Sequence, residues 1–267
     1  MYNFNYHHPK TLQEAIDIHK SVEFPKYLAG GMTIIPSLKQ KLSSPSDLID
    51  LQHIKNLKGI SIRNNEIEVG ALCTHNEIAH SNIIKQNIFG FAYLASNIAD
   101  NAVRNLGTIG GSVSNSDPAA DYPAALLALN ANINTNKRTI KSEDFFVDMF
   151  ETVLDENEIV VSIRLPITKN TQYIKYSSQA SKYAIVGIFS SYNNKKLKLA
   201  VTGVANKVFS IDELNELSYQ ELNKIDLNTL NLKKFNINSD IHASSSYRIS
   251  LIKSFIRKII EDIASYE

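Results

Sequence analysis

The clearest pattern in the chain is an apolar stripe near its C-terminus, which predicts a helix. Apolar residues recur there at steps of three and four, at Ile252, Phe255, Ile256, Ile259, Ile260 and Ile263. This spacing places them on one helical face, and we expect that face to pack into a core. A period of two marks residues 60–70 instead, where Asn64-Asn65 separates two strand-like runs and predicts a β-hairpin.

Helix-capping signals and short apolar runs predict the remaining elements. Thr11 with Glu14, and Thr74 with Glu77, have the spacing of a capping box at the start of a helix. A strand at residues 26–29, a helical turn at 33–40 and a strand at 46–51 form a βαβ-like unit that closes near residue 55. Further helices are expected at residues 88–98 and 119–130, and further strands at 159–165, 172–177, 184–192 and 196–205.

Composition places the chain among ordinary globular proteins. Of its 267 residues, 43% are hydrophobic and 21% are charged, and the net charge of +1 gives no electrostatic reason to expect nucleic acid or an anionic membrane as a partner. No run of residues has the length and apolarity of a membrane span, and the first residues lack the apolar stretch of a secretory signal. We therefore expect a cytoplasmic protein.

The chain has a single cysteine, Cys73, which excludes several kinds of site. One thiol cannot form a disulfide within the chain, a cysteine-rich zinc site or an iron–sulfur cluster. Cys73 lies in an apolar run, so we expect it in the core. His7-His8 has no third ligand in view and is interpreted as a surface pair. Neither paired carboxylates nor a Ser/His/Asp order stands out, so we expect no metal site and no catalytic residues.

Two glycine pairs are the most informative features for function. We call Ala29-Gly30-Gly31-Met32-Thr33 the first glycine segment and Thr108-Ile109-Gly110-Gly111-Ser112 the second. A Gly-Gly loop after a strand provides positive φ and lets a ligand approach the main chain, whose successive N–H groups then bind anions. Neither segment has the lysine of a P-loop or the Gly-x-Gly-x-x-Gly of a dinucleotide fold. A tight turn without a ligand is the alternative for each pair alone.

The surroundings of the second glycine segment favour a ligand. Residues 103–117 are rich in small polar side chains, which can hydrogen-bond phosphate and ribose. Asp121 follows them and can accept a hydrogen bond from a sugar hydroxyl, or it can cap the helix that we expect to begin at Pro123. Both roles are compatible with the sequence.

The same stretches resemble a known family. Leu28–Lys39, Arg104–Ser112, Asp117–Asp121 and Asp240–Arg248 together look like the FAD-binding medium subunit of molybdenum hydroxylases, in the family of aerobic carbon monoxide dehydrogenase medium chains and xanthine dehydrogenase FAD subunits. The resemblance implies an α+β fold: a two-part FAD-binding domain (PCMH/vanillyl-alcohol-oxidase-like) over residues 1–168, with parts at about 1–55 and 56–168. A C-terminal α+β domain with a three-stranded antiparallel sheet and helices would follow over 169–267.

The resemblance also implies which residues bind FAD. Both glycine segments would hold the diphosphate, Asp121 the ribitol or ribose hydroxyls, and Ile98 the flavin. Lys175 would reach the flavin and Tyr183 would lie against the isoalloxazine ring, although a solvated strand lysine and a core aromatic are the simpler interpretations. The cofactor-binding residues expected on this basis are Ala29, Gly30, Gly31, Met32, Thr33, Ile34, Ile98, Thr108, Ile109, Gly110, Gly111, Ser112, Asp121, Val160, Lys175 and Tyr183.

The implied function is electron transfer within a larger enzyme. A molybdopterin-containing large subunit would oxidise a small substrate, and a small subunit would pass the electrons through [2Fe–2S] clusters to FAD on this chain and then to an external acceptor. The assembly would be a dimer of heterotrimers. Met32-Thr33 and residues 178–182 depart from the carbon monoxide enzymes, which leaves the substrate open. An assembly or ligand-binding module without a redox role is the alternative, and a self-contained flavin oxidase is a weaker third.

Overall fold

The computed structural model of the chain describes residues 1–215 and 217–263, so residues 264–267 of the predicted C-terminal domain lie outside it. The strands are β1 (Asn5–His7), β2 (Pro25–Leu28), β3 (Asp47–Asp50), β4 (Ile60–Arg63), β5 (Glu66–Gly70), β6 (Asn132–Thr135), β7 (Thr139–Lys141), β8 (Phe146–Asp148), β9 (Glu151–Thr152), β10 (Val160–Pro166), β11 (Thr171–Ser177), β12 (Ala184–Asn193), β13 (Lys196–Thr202) and β14 (Phe209–Ser210). The helices are α1 (Leu12–Ser21), α2 (Ile34–Lys39), α3 (His75–His80), α4 (Asn82–Asn87), α5 (Phe89–Ser96), α6 (Asn101–Leu106), α7 (Ile109–Asn115), α8 (Tyr122–Ala128), α9 (Ser142–Phe145), α10 (Tyr219–Lys224) and α11 (Ser245–Ile263).

The N-terminal part is a small parallel sheet, in the order β1-β3-β2. Helix α1 begins with the predicted capping box: the Thr11 side chain accepts from the Glu14 amide, and the Glu14 carboxylate accepts from the Thr11 amide. The predicted βαβ-like unit is confirmed as β2, α2 and β3. Gly31, at a φ of 74°, turns the chain from β2 into α2, a conformation that side chains disfavour.

The second sheet is antiparallel, in the order β4-β5-β10-β6-β7. The predicted hairpin is confirmed, because Asn64 and Asn65 join β4 to β5 with φ of 50° and 61°, the left-handed pair that suits a two-residue hairpin turn. Ile67, Val69 and Ile163 are buried on one face of this sheet, in one cluster with residues of α5 and α8.

The C-terminal sheet, β11-β12-β13-β14, is antiparallel and buried on both faces. Phe189 and Ala200 join the same cluster as α5 and α8, whereas Ile188 and Leu199 pack in a second cluster with α11. The α+β class is confirmed. The three long strands of this sheet are as predicted, and the two-residue β14 adds a fourth that is too short to leave an alternating pattern in the sequence.

The predicted C-terminal helix is confirmed as α11, and its stripe is buried except at Phe255, which is half-buried. Arg248, near its start, is buried and donates to the carbonyl oxygens of Ile185 and Gly203 at 2.6 and 2.7 Å and to the Asp240 carboxylate at 2.6 Å. These bonds attach α11 to the sheet. None of the helices in the described residues, α11 included, combines the length and apolarity needed to cross a membrane.

The stripe on α11 gives the first testable prediction. Ile256→Ala removes a fully buried side chain from the second cluster, so we expect it to lower the free energy of unfolding by about 2–5 kcal/mol. Urea denaturation followed by circular dichroism measures this loss. Lys258→Ala, at an exposed position of the same helix, is the control and should change stability by no more than about 0.5 kcal/mol. Equal losses in both variants would contradict the assigned face.

Candidate cofactor site

A cavity of about 690 Å³ lies where the N-terminal part, the α6–α7 region and the turn before β12 meet. Its size is that of a typical cofactor cleft. All the predicted cofactor-binding residues except Ile109 and Lys175 line it: Ala29, Gly30, Gly31, Met32, Thr33, Ile34, Ile98, Thr108, Gly110, Gly111, Ser112, Asp121, Val160 and Tyr183. Their contact with FAD stays a prediction.

The first glycine segment presents free backbone donors to the cavity. The amides of Gly30, Gly31, Met32, Thr33 and Ile34 find no acceptor within the described residues, although all five residues line the cavity. Thr33 precedes α2, and its side chain makes no capping bond. Successive unpaired N–H groups that face one cavity form an anion site.

The second glycine segment is not a loop, and that prediction is wrong. Helix α7 begins at Ile109, and Thr108 caps it by accepting from the Gly111 amide at 3.1 Å. The Ile109 amide donates to the Cys73 carbonyl at 3.0 Å and the Gly110 amide to the Ala71 carbonyl at 2.8 Å. These amides are therefore already paired, so the second segment offers a close-packed wall rather than a second set of free donors.

Glycine is required in both segments for close packing of the chain. A Cβ on Gly30 would overlap the Leu106 carbonyl oxygen, and one on Gly110 would lie 2.6 Å from the Ala71 Cβ. A Cβ on Gly111 would lie 3.5 Å from the Ala29 Cβ. The two segments are thus neighbours, and any side chain on Gly111 would enter the space between them.

A buried charge pair lies beside the cavity. Lys175 Nζ is 2.8 Å from the Asp121 carboxylate and donates to the Asn97 carbonyl at 3.1 Å, and the Tyr173 hydroxyl donates to Asp121. Burial raises the pKa of Asp121 above its ordinary value, and the Lys175 ammonium opposes the rise. Asp121 lines the cavity but Lys175 lies behind it, so Lys175 is not a solvated strand lysine. Although Asp121 precedes α8, its side chain makes no capping bond, which removes that alternative.

Cationic side chains fix the main chain around Ile98, at one end of the cavity. Arg104 donates to the Ile98 and Ala99 carbonyls at 2.6 and 2.9 Å, and Lys175 holds the preceding carbonyl of Asn97. Tyr183 lines the cavity while 48% exposed, so its ring is accessible from outside. Burial raises the pKa of the Tyr183 hydroxyl above its ordinary value, and the nearby Asp117 carboxylate raises it further.

Part of the cavity wall is apolar. Leu57, Leu72, Ile159 and Val160 line the cavity and are all buried. Ile109 is also fully buried, but in the first core cluster rather than in the cavity wall. The wall thus combines the accessible ring of Tyr183 with buried apolar residues, against which the rings of a ligand can pack.

The sequence did not identify several residues that line the cavity. Ser114, Asn115 and Asp117 belong to the small polar run after the second glycine segment, and Asp117 also begins the stretch Asp117–Asp121 that resembles the family. His75 follows Thr74 at a predicted helix start and was not among the predicted site residues. It also lines the cavity, with its Nδ1 3.1 Å from the Tyr122 hydroxyl. Burial, then Arg104, lowers the pKa of His75 to about 4, so the ring is neutral at neutral pH.

The cavity has the size and the free backbone donors that a dinucleotide needs, although the chain has neither a P-loop nor a dinucleotide fingerprint. Residues 2–168 match the family profile described as the FAD binding domain in molybdopterin dehydrogenase. The chain belongs to this family, so the resemblance found in the sequence and its cofactor, FAD, are confirmed. The free amides of residues 30–34 suit the diphosphate of that cofactor.

Known relatives are similar over most of the chain or nearly all of it. The glyceraldehyde dehydrogenase medium chain of Sulfolobus acidocaldarius is 32% identical over 276 residues, covering 98% of both chains. The carbon monoxide dehydrogenase medium chain of Hydrogenophaga pseudoflava is 32% identical over 215 residues, covering 76% of this chain and 75% of that one. The structure of quinoline 2-oxidoreductase from Pseudomonas putida 86 superposes with a TM-score of 0.89 at 26% identity, covering 99% and 98% of the two chains.

The packing at Gly111 gives the second prediction. We expect Gly111→Val to abolish FAD binding, because its side chain would fill the space between the two glycine segments. Its helical φ imposes no strain, so positive φ is not the reason. Fluorescence titration of the apoprotein with FAD measures the affinity.

Gly59→Val is the matched control for Gly111→Val. Gly59 has a φ of 107° and no atom within 4 Å of an added Cβ, so valine there is strained, but Gly59 does not line the cavity. The control should lose more folding stability than Gly111→Val and still bind FAD. Normal FAD binding by Gly111→Val would place the cofactor elsewhere.

The buried pair gives the third prediction, which concerns pH. Lys175→Met leaves the Asp121 carboxylate buried without its counterion, and we expect a loss of about 3–5 kcal/mol of folding stability at pH 8. The pKa of Asp121 is higher in the folded chain than in the unfolded chain. The folding stability therefore falls as the pH rises from the unfolded-state pKa of this carboxyl group through its folded-state pKa. The loss should therefore be smaller at pH 5.5 than at pH 8.

Urea unfolding at the two pH values measures this difference. Lys169→Met is the control, since Lys169 is exposed and precedes the same strand, and it should cost no more than about 0.5 kcal/mol at either pH. A loss for Lys175→Met that is the same at both pH values would show that Asp121 does not govern it.

Proposed function

We propose that this chain is the electron-transfer subunit of a heterotrimeric molybdenum hydroxylase, which passes electrons from [2Fe–2S] clusters of a partner subunit through FAD to an external acceptor. The named relatives are medium chains of dehydrogenases, and this family membership supports a place in a multi-subunit enzyme. The observation that carries the proposal is the run of unpaired amides at residues 30–34 along a dinucleotide-sized cavity. These donors remain available to the anionic link of a cofactor.

The residues of the chain have distinct tasks in this proposal. The amides of Gly30–Ile34 bind the diphosphate, and Gly111 leaves room for it. Asp121 accepts from ribitol or ribose hydroxyls, Ile98 and Tyr183 contact the flavin, and Val160 contacts the cofactor from the apolar part of the wall. Bound FAD supplies two-electron and one-electron redox chemistry, which the protein positions and shields. The accessible ring of Tyr183 marks the end at which electrons enter and leave.

The assembly and the domain division belong to the same proposal. The partners would be a molybdopterin-containing large subunit and a small [2Fe–2S] subunit, in a dimer of heterotrimers in the cytoplasm. The single cysteine agrees with clusters on another chain. The FAD-binding domain would cover residues 1–168 and the C-terminal domain 169–267, supported by a family match that ends at residue 168 and by β11, which begins at Thr171.

Thr33 provides the fourth prediction, which tests this function. Thr33→Asp places a carboxylate beside the free amides, where it repels the diphosphate, and we expect FAD affinity to fall roughly tenfold or more. Thr33→Asn has the same shape without the charge and should bind FAD as the wild type does. Fluorescence titration gives both affinities. Equal affinities in the two variants would show that the diphosphate does not lie at this segment.

Electron transfer is tested with the partner subunit. The proposed small [2Fe–2S] partner subunit is reduced with dithionite, freed of excess reductant and mixed with the FAD-loaded chain. After mixing, the absorbance of oxidised flavin should fall for the wild type and for Thr33→Asn. The Thr33→Asp chain, loaded poorly, should show a correspondingly smaller change. A flavin that stays oxidised in the wild-type mixture would contradict the electron-transfer role.

A further inference from the structure

His75 occupies a position that nothing in the proposed function uses. It follows the Thr74 cap at the start of α3, is 4% exposed and lines the cavity. Its Nδ1 is 3.1 Å from the hydroxyl of Tyr122, a fully buried residue, and the two rings are in contact at a centroid distance of 5.4 Å. The orientation of the imidazole is therefore fixed from one side by a second buried side chain.

The Tyr122 hydroxyl also determines which imidazole nitrogen carries the proton. Burial raises the pKa of Tyr122 well above its ordinary value, so the hydroxyl keeps its proton. Within the described residues its one hydrogen-bond partner is His75 Nδ1, and a buried donor without an acceptor is costly. The hydroxyl must donate to Nδ1. A neutral imidazole that accepts at Nδ1 carries its proton on Nε2.

The Nε2 edge of the ring faces the cavity. Nε2 has no acceptor in the described part of the chain, and it is not among the sealed, unpartnered polar atoms there, which are Tyr27 Oη, Arg164 Nε, Asn215 Oδ1 and Arg248 Nε. It is thus open to the cavity. Only a glycine at position 107 permits this, because a Cβ there would lie 2.7 Å from Nε2.

This donor lies close to the first glycine segment. A Cβ on Gly30 would lie 2.8 Å from the Gly107 Cα, and Gly107 in turn contacts the His75 ring. Gly30, Gly107 and His75 therefore follow one another along one wall of the cavity. A diphosphate bound by the amides of residues 30–34 has oxygens within reach of that wall.

We propose that the Nε2–H of His75 donates a hydrogen bond to a diphosphate oxygen of the bound cofactor, with Tyr122 as the positioning residue that fixes the required tautomer. This inference rests on the proposed place of the diphosphate at the first glycine segment. The bond adds a side-chain donor to the backbone donors of that segment. It also explains why a neutral histidine and a buried tyrosine stand beside an anion site that has no P-loop lysine.

Two variants of His75 separate the two nitrogens. The amide nitrogen of glutamine can replace Nε2, whereas asparagine reaches only the position of Nδ1. We expect His75→Gln to keep FAD affinity within about twofold of the wild type, and His75→Asn to lower it about tenfold, the loss of one hydrogen bond to a charged group. ADP, which has the diphosphate without the flavin, should show the same order of affinities. Fluorescence titration and calorimetry on the full chain measure both ligands.

The outcomes distinguish this inference from the proposed function. A wild-type chain that binds neither FAD nor ADP contradicts the proposed function itself. Wild-type binding with equal affinities in His75→Asn and His75→Gln overturns the hydrogen bond. If His75→Asn lowers the affinity for FAD but not for ADP, the hydrogen bond is not made to the diphosphate.

The tautomer of His75 can also be measured without any ligand. Nitrogen-15 NMR of the histidine-labelled apoprotein, with the His75 signal assigned from its absence in His75→Gln, should show the proton on Nε2. Tyr122→Phe should shift this signal toward a mixture of tautomers, an effect that lost packing alone would not produce. A wild-type ring protonated on Nδ1 overturns the inference.

Discussion

The close approach of Gly30 to the Leu106–Gly107 peptide is the contact on which the cavity depends. It joins the parallel N-terminal sheet to the region that leads into α7, and it leaves no room for a Cβ. The same kind of contact recurs where Gly110 meets Ala71. Two close contacts of the chain thus form part of the cavity wall, next to Gly31 and Gly111. The glycines of each pair differ in their surroundings: an added Cβ would overlap the main chain at Gly30 and Gly110, whereas no main-chain atom lies as close at Gly31 and Gly111.

This difference changes how the two glycine pairs are understood. Both look alike in the sequence, and both were expected to be loops with positive φ. In the structure only Gly31 has it, and Gly110 and Gly111 are in the first turn of a helix. The free donors are concentrated in the first segment, whereas the second segment uses its amides to bind the chain at Ala71 and Cys73. The first glycine segment therefore has free hydrogen-bond donors, whereas the second glycine segment forms a close-packed part of the cavity wall.

Much of the fold could be predicted because its signals are local. The capping boxes at Thr11 and Thr74, the Asn64-Asn65 turn and the stripe of α11 each depend on residues within one or two turns of chain. Helix α7 could not be predicted, since its two glycines and serines have low helix propensity and bonds from distant residues hold its first turn. The pairs Asp121–Lys175 and His75–Tyr122 join residues 54 and 47 positions apart (175 − 121 and 122 − 75), and no local pattern reveals them.

The cavity takes its wall from parts of the chain that are far apart in sequence, such as residues 29–34 and Ser181, Lys182 and Tyr183. A ligand that contacts both parts is thermodynamically linked to folding, because the unfolded chain cannot bind it. At a free FAD concentration one hundred times the dissociation constant, this linkage adds about 2.7 kcal/mol to the stability of the folded state. The supply of free flavin thus helps to set what fraction of newly made chains stays folded.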